Sequence, residues 1–241
     1  MSDRQRVVIL AAGMGTRLGM PRPKPLTPLV DGRSILHRQL DNLRAVFGDD
    51  GFELTVVVGF QAEQIMAAVP EANFVYNHRY QHTNTSKSLL RALRAPGTGG
   101  VLWLNGDVVF DAGLLRAALP MIGRDETFVC VNTAAVGEEE VKYTASVDGY
   151  VRELSKSVVG GLGEAVGINY IASPDLGALV EHLESCTDAD YFERGIESAI
   201  EGGGLRVQAL DISEFFVVEV DFAGDLERAN VEVGKTVTSA A

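Results

Sequence analysis

The hydrophobic positions of the chain follow two alternating rhythms. Short unbroken apolar runs, VVILAA (7–12), LTVVVGF (54–60), FVYN (74–77), VLWLNGD (101–107) and TFVCVN (127–132), read as strands buried on both faces. Between them lie stretches of helical period. SILHRQLDNLRAVF (34–47) sets Leu36, Leu40, Leu43 and Phe47 on one side, and QAEQIMAAV (61–69), SKSLLRALR (86–94) and DAGLLRAAL (111–119) follow the same pattern. Strand and helix in alternation predict an α/β protein, a parallel sheet with helices on both faces.

From Val141 the rhythm changes. VKYTASVDGYVREL (141–154) predicts a hairpin turning at Asp148-Gly149, and the glycine-rich VVGGLGEAVG follows it. Helices near 174–184 and 190–202, strands at RVQAL and FFVVEV, and a helix from about Gly224 complete the reading. No repeat or linker interrupts it. The expectation is one domain over residues 1–235, with a hairpin insertion at about 138–170 and a frayed tail at 236–241.

Composition is that of an ordinary globular chain, and no apolar run approaches the roughly 18 residues of a membrane span. VVILAA is too short for a signal-peptide core, so a cytoplasmic protein is expected. Cys130 and Cys186 have the spacing of neither a disulfide framework nor a zinc site. The formal net charge of -12 excludes nucleic acid and anionic membrane as partners. Residues 1–30 run against that balance, holding Arg4, Arg6, Arg17, Arg22 and Lys24 against Asp3 alone. A local cationic loop in an acidic body points to a small bound anion.

That loop is LAAGMGTRLG, followed by PRPKPL. Gly13 and Gly15, after a strand, let backbone N–H groups approach a phosphate closely. The dinucleotide fingerprint would need a glycine where Leu18 stands, and the Gly-Lys-Ser/Thr of a P-loop is absent. What remains is Arg17 and a Lys24 braced by Pro23 and Pro25. Two cations on stiff backbone suit a triphosphate attacked at its α-phosphorus, where charge develops in the transition state.

LAAGMGTRLG with PKPL resembles the signature of the nucleotidyltransferases that join an NTP to a phosphorylated sugar or alcohol. GFQAEQI, LNGDVVF and VVEVDFAGDLERA follow in the family's order. The resemblance implies a Rossmann-like α/β/α sandwich with a mixed, mostly parallel sheet. It also implies catalytic roles for Lys24 and Arg17, and nucleotide contacts from Leu10, Ala11, Ala12, Gly13, Gly15, Thr16, Asn84, Ser88 and Gly106. Asp107 and Asp221, each ending an apolar strand where a carboxylate needs a cation, would hold one Mg²⁺, with Glu219 alongside.

Where sugar-phosphate enzymes carry a Gly-Thr-Ala stretch, this chain has TNTSKSLL, similar instead to the cytidylyltransferases that activate phosphocholine or phosphonates. EEEVKY, GYVRELSKSV, GEAVGINY and DYFERGI resemble the same group. The substrates implied are CTP and a small acceptor bearing phosphate or phosphonate, met by Lys156, Lys142, Glu164, Tyr191 and Glu193. A phosphate oxygen is already deprotonated near neutrality, so no catalytic histidine is required, and His37 and His182 are read as structural or solvated. An aromatic cage for choline and a cationic site for a small phosphonate both stay open. So do a sugar-1-phosphate nucleotidyltransferase using UTP or dTTP, a regulatory module without catalysis, and a homodimer of the kind many relatives form.

Overall fold

A computed structural model describes residues 4–134, 137 and 140–239, with residues 236–239 described by backbone alone. Glu138 and Glu139 of EEEVKY, at the start of the expected insertion, and the last two residues of the tail lie outside the described residues. In chain order the elements begin with β1 (Gln5–Ala11), α1 (Ile35–Phe47), β2 (Phe52–Val58), α2 (Ala62–Ala68), β3 (Asn73–Tyr76), α3 (Thr85–Leu93), β4 (Val101–Asn105), β5 (Val108–Phe110), α4 (Ala112–Gly123) and β6 (Phe128–Asn132). They continue with β7 (Lys142–Ala145), β8 (Val151–Ser155), β9 (Gly163–Ile171), α5 (Leu176–Ser185), α6 (Phe192–Gly203), β10 (Gln208–Asp211), β11 (Val217–Glu219) and α7 (Ala223–Ser239).

The main sheet runs β10-β6-β9-β4-β1-β2-β3, with β7 joined to β9 and β8 to β7. Pairings β10/β6, β4/β1, β1/β2 and β2/β3 are parallel, whereas β9 is antiparallel to both β6 and β4. The sheet is therefore mixed and mostly parallel along this path, as the resemblance implies. The hairpin forms as its turn chemistry predicts, with Gly149 at φ 84 between β7 and β8.

Period-two alternation sorts the strands into two cores. Val7, Ile9 and Ala11 of β1 face α1, α2 and α4, while Val8, Leu10 and Ala12 face α3, α5 and α6. Helices thus cover both faces, which is why the strand sequences read as unbroken apolar runs. A third, smaller core joins the β5/β11 ribbon to α7 through Val109, Val218, Val220, Ala229 and Val233. α7 continues through Ser239, beyond the point where the sequence suggests fraying.

Candidate active site

The loop after β1 is shaped by glycine. Gly15 has φ 58, and a Cβ on it would stand 2.9 Å from the Cβ of Lys24, so a side chain here would be both strained and obstructed. Residues Lys24–Leu26 form one tight helical turn behind Pro23, and Lys24 is only 8% exposed. That turn packs onto Gly106, whose N–H donates to the Leu10 carbonyl at 3.0 Å. A Cβ on Gly106 would meet that same oxygen at 2.7 Å and Pro25 Cγ at 2.9 Å.

Asp107 follows Gly106, and Asp221 is brought to it by the ribbon. β11 pairs antiparallel with β5, and the Val220 N–H donates to the Asp107 carbonyl at 3.0 Å. The Asp225 carboxylate accepts the N–H groups of Asp221 (3.2 Å) and Phe222 (2.8 Å). Lys24 Nζ lies between the two aspartates, donating to Asp107 Oδ2 at 2.7 Å and to Asp221 Oδ1. Arg17 Nη1 reaches Asp221 Oδ2 at 2.9 Å. Burial is the largest single influence on Lys24 and favours the neutral amine. Asp107 and Asp221 together outweigh it, and the pKa rises. The two aspartates therefore favour the charged form of Lys24.

These carboxylates also suit a divalent ion. They are hard oxygen donors, and Asp107 Oδ1 is buried without a hydrogen-bond partner. Among the described residues no group of three or more His, Cys, Asp or Glu could hold a metal by itself. Substrate oxygens and water would have to complete the shell.

Lys156, just past β8, holds Nζ 5.4 Å from the ring centroid of Tyr191, the residue before α6. Glu193, in the first turn of α6, is 8% exposed, and burial pushes its carboxyl up to about 7. Glu164 Oε2 on β9 accepts the Gly137 N–H at 3.0 Å, and Lys142 stands opposite Glu164 in the β7/β9 ladder. Glu219 is pushed well above the usual carboxylate range, first by burial and then by Asp107, Glu193, Glu140 and Asp221.

The structure thus brings Arg17, Lys24, Gly106, Asp107 and Asp221 to one place, with Lys156, Tyr191, Glu193 and Glu219 nearby. Leu10, Ala11 and Ala12 are buried at the end of β1, while Gly13 and Thr16 face solvent in the loop. Asn84 and Ser88 make their bonds elsewhere. Asn84 caps α3 through the Thr85 N–H and donates to the Ala189 carbonyl, and Ser88 Oγ accepts from buried Asn77. His37 bonds to Ser34 and the Ala68 carbonyl, and His182 to Ser198, both structural roles.

Two residues escape the sequence reading. Asn105 donates to Glu219 Oε1 at 3.3 Å, and Gly167, at φ 66 in β9, admits that pair where a Cβ would stand 2.5 Å from the Glu219 oxygen. The glycine inside the apolar AVGINY run was the available signal, since glycine within a strand marks close approach.

A family model of the MobA-like NTP transferase domain matches residues 7–188. The chain belongs to this family. As a MobA-like NTP transferase it is a nucleotidyltransferase, and Lys24, Asp107 and the glycine loop fall within the matched region. It is 30% identical over 93% of its length to the CMP-5'-(3-aminopropyl)phosphonate synthase of Streptomyces rubellomurinus, of which it spans 38%. Two solved structures share the fold, each at 18% identity. The CTP:phosphocholine cytidylyltransferase of Streptococcus pneumoniae gives a TM-score of 0.77 over 95% of this chain and 99% of its own. The inositol-1-phosphate CTP transferase of T. maritima gives 0.74 over 92% and 91%. The MobA-like architecture is the sandwich described above, and no described helix is long and apolar enough to cross a membrane.

Proposed function

We propose that this nucleotidyltransferase is a cytidylyltransferase, joining CMP from CTP to a small phosphonate or phosphorylated alcohol and releasing pyrophosphate. The observation that carries the reading is the position of Lys24. Its ammonium is buried beneath the glycine loop and gripped by Asp107 and Asp221, a fixed charge beside the loop's backbone N–H groups. Fixed cations stabilise charge developing at an α-phosphorus without reorganising. An acceptor oxygen, deprotonated near neutrality, attacks that phosphorus in line. Lys24 meets the charge that develops, and Arg17, about half exposed, is available to the departing pyrophosphate.

Mg²⁺, held by Asp107 and Asp221, would supply further positive charge to the triphosphate. Lys156, held against the Tyr191 ring, is suited to the dianionic end of the acceptor. The choice of CTP is supported by similarity over nearly the whole chain to a CMP-phosphonate synthase.

The test is pyrophosphate release with Mg²⁺, crossing CTP, UTP and dTTP against phosphocholine, 2-aminoethylphosphonate, phosphonoformate and glucose-1-phosphate. Release with CTP and one of the first three acceptors is expected. Release confined to glucose-1-phosphate with UTP or dTTP would replace this reading with a sugar-nucleotide one.

A further inference from the structure

Gln39 is a polar residue in an apolar position. α1 buries Ile35, Leu36, Leu40 and Leu43, and Gln39 lies among them at 1% exposure. Its Nε2 donates to two carbonyls, those of Asn105 and Val108, each at 2.8 Å. These oxygens flank Gly106-Asp107, the two-residue turn from β4 into β5. One amide thus clasps both ends of the turn that carries Asp107.

The two ends belong to different sheets. β4 lies beside β1 in the main sheet, whereas β5 pairs with β11 in the separate ribbon. Toward β11, the Asp107 carbonyl accepts the Val220 N–H and the Asp111 N–H donates to the Phe216 carbonyl. Strand alternation therefore sends the Val108 and Phe110 carbonyls the other way, where α1 supplies donors in place of a neighbouring strand. Gln39 serves Val108, and Asn42, one turn later, serves Phe110 at 2.8 Å. Asn42 holds β5 alone. Gln39 also reaches back to β4 and so ties the sheet to the ribbon.

This clasp leaves the Gln39 Oε1 buried without a hydrogen-bond partner, which is costly in a core. What it secures is the place of Asp107. On one side of the turn Gly106 meets the Leu10 carbonyl and Pro25, which precedes no other charge than Lys24 by a single residue; on the other, the ribbon leads to Asp221.

We propose that Gln39 is a positioning residue, fixing the β4–β5 turn between sheet and ribbon so that Asp107 and Asp221 take up Mg²⁺ together. It acts through the backbone on either side of Asp107, and the proposal rests on the metal-dependent transfer proposed above.

The experiment compares Gln39→Met, which keeps the length of the side chain and removes its donors, with Asn42→Leu, which releases β5 from the same helix farther from Asp107. Mn²⁺ binding in the presence of α,β-methylene CTP, which cannot be cleaved at the α-phosphorus, is read from the electron paramagnetic resonance of free Mn²⁺. In Gln39→Met the Mn²⁺ dissociation constant should rise about ten- to a hundred-fold, as for other residues that orient a metal ligand. In steady-state turnover with Mg²⁺ and CTP, kcat should fall about tenfold or more with the KM for CTP within severalfold of wild type. Asn42→Leu should lower the unfolding midpoint while leaving Mn²⁺ affinity and kcat within about twofold of wild type. Gln39→Asn, which keeps an amide one methylene too short to span both carbonyls, serves if Gln39→Met does not fold. Wild-type Mn²⁺ affinity and kcat in the folded Gln39 variant, or equal losses in Asn42→Leu, would overturn the positioning role and leave cytidylyl transfer standing. Full wild-type turnover in excess chelator would overturn the metal-dependent reading and the proposal with it.

Discussion

Pro25 lies against Gly106 so closely that a methyl group on the glycine would come within 2.9 Å of Pro25 Cγ and 2.7 Å of the Leu10 carbonyl. This contact sets the distance between Lys24 and Asp107, the neighbours of the two residues. Gly106→Ala must push the proline-braced turn outward. A loss of roughly 1–3 kcal/mol in stability is expected from such overpacking, with kcat falling about tenfold or more. Thermal or urea unfolding alongside steady-state pyrophosphate release would check it, and unchanged kcat would show that the turn is not held by this contact.

Gly15 and Gly13 should respond differently to alanine. At Gly15 a side chain meets Lys24 and an unfavourable φ of 58, whereas a Cβ at Gly13 has nothing within 4 Å. Gly15→Ala is expected to lower stability by about 1 kcal/mol or more, and Gly13→Ala to leave the unfolding midpoint nearly unmoved. Equal shifts in the two midpoints would contradict the packing described.

Lys24→Ala removes the cation bonded to both aspartates, and kcat should fall at least about 10²- to 10³-fold. Single-turnover measurements at saturating CTP separate this loss from weakened binding. A rate within severalfold of wild type would exclude Lys24 from transition-state stabilisation.

Mg²⁺ dependence is the expectation tested at Asp107, whose Oδ1 is buried without a hydrogen-bond partner. Chelation is expected to abolish pyrophosphate release and added Mg²⁺ to restore it. In Asp107→Asn and Asp221→Asn the Mg²⁺ concentration for half-maximal rate should rise about tenfold or more. Full activity in excess chelator would remove the metal from the scheme.

Glu193 makes stability depend on pH in a stated direction. Burial raises its carboxyl to about 7 in the folded protein, so the folded state holds a proton that the unfolded chain gives up in the ordinary glutamate range. Its favourable contribution is complete below that range and is lost as pH rises toward and through 7. Glu193→Gln, always neutral, should therefore gain stability relative to wild type between about pH 4.5 and pH 7. Urea unfolding of both proteins across that interval tests this, and a constant difference would mean that Glu193 is paired in solution.

Most of the framework could be read along the chain. The alternation of apolar runs with helical periods located β1 to β4, β6 and α1 to α4, because the central residues of these strands contribute to both cores and so read as nearly unbroken apolar runs. Ser34 and Asp111 cap α1 and α4 close to where the patterns begin. β9 was not recognised as a strand. Its glycines suggest a loop, yet it lies in the middle of the sheet, antiparallel to β4 and β6, with Gly167 bent around Glu219 and Asn105.

The sequence by itself determined the α/β class, the glycine loop, the proline-braced lysine and the two aspartates as candidates, because local backbone preference and apolar periodicity are properties of short stretches. Tertiary structure decided which of these meet. Asp107 and Asp221 are 114 residues apart and are brought together by the β5/β11 ribbon. Glu193 and Glu197 look alike in sequence, one helical turn apart, yet only Glu197 finds Leu154 and Arg194. Whether a buried carboxylate is satisfied depends on what the rest of the fold carries to it, and no local pattern encodes that.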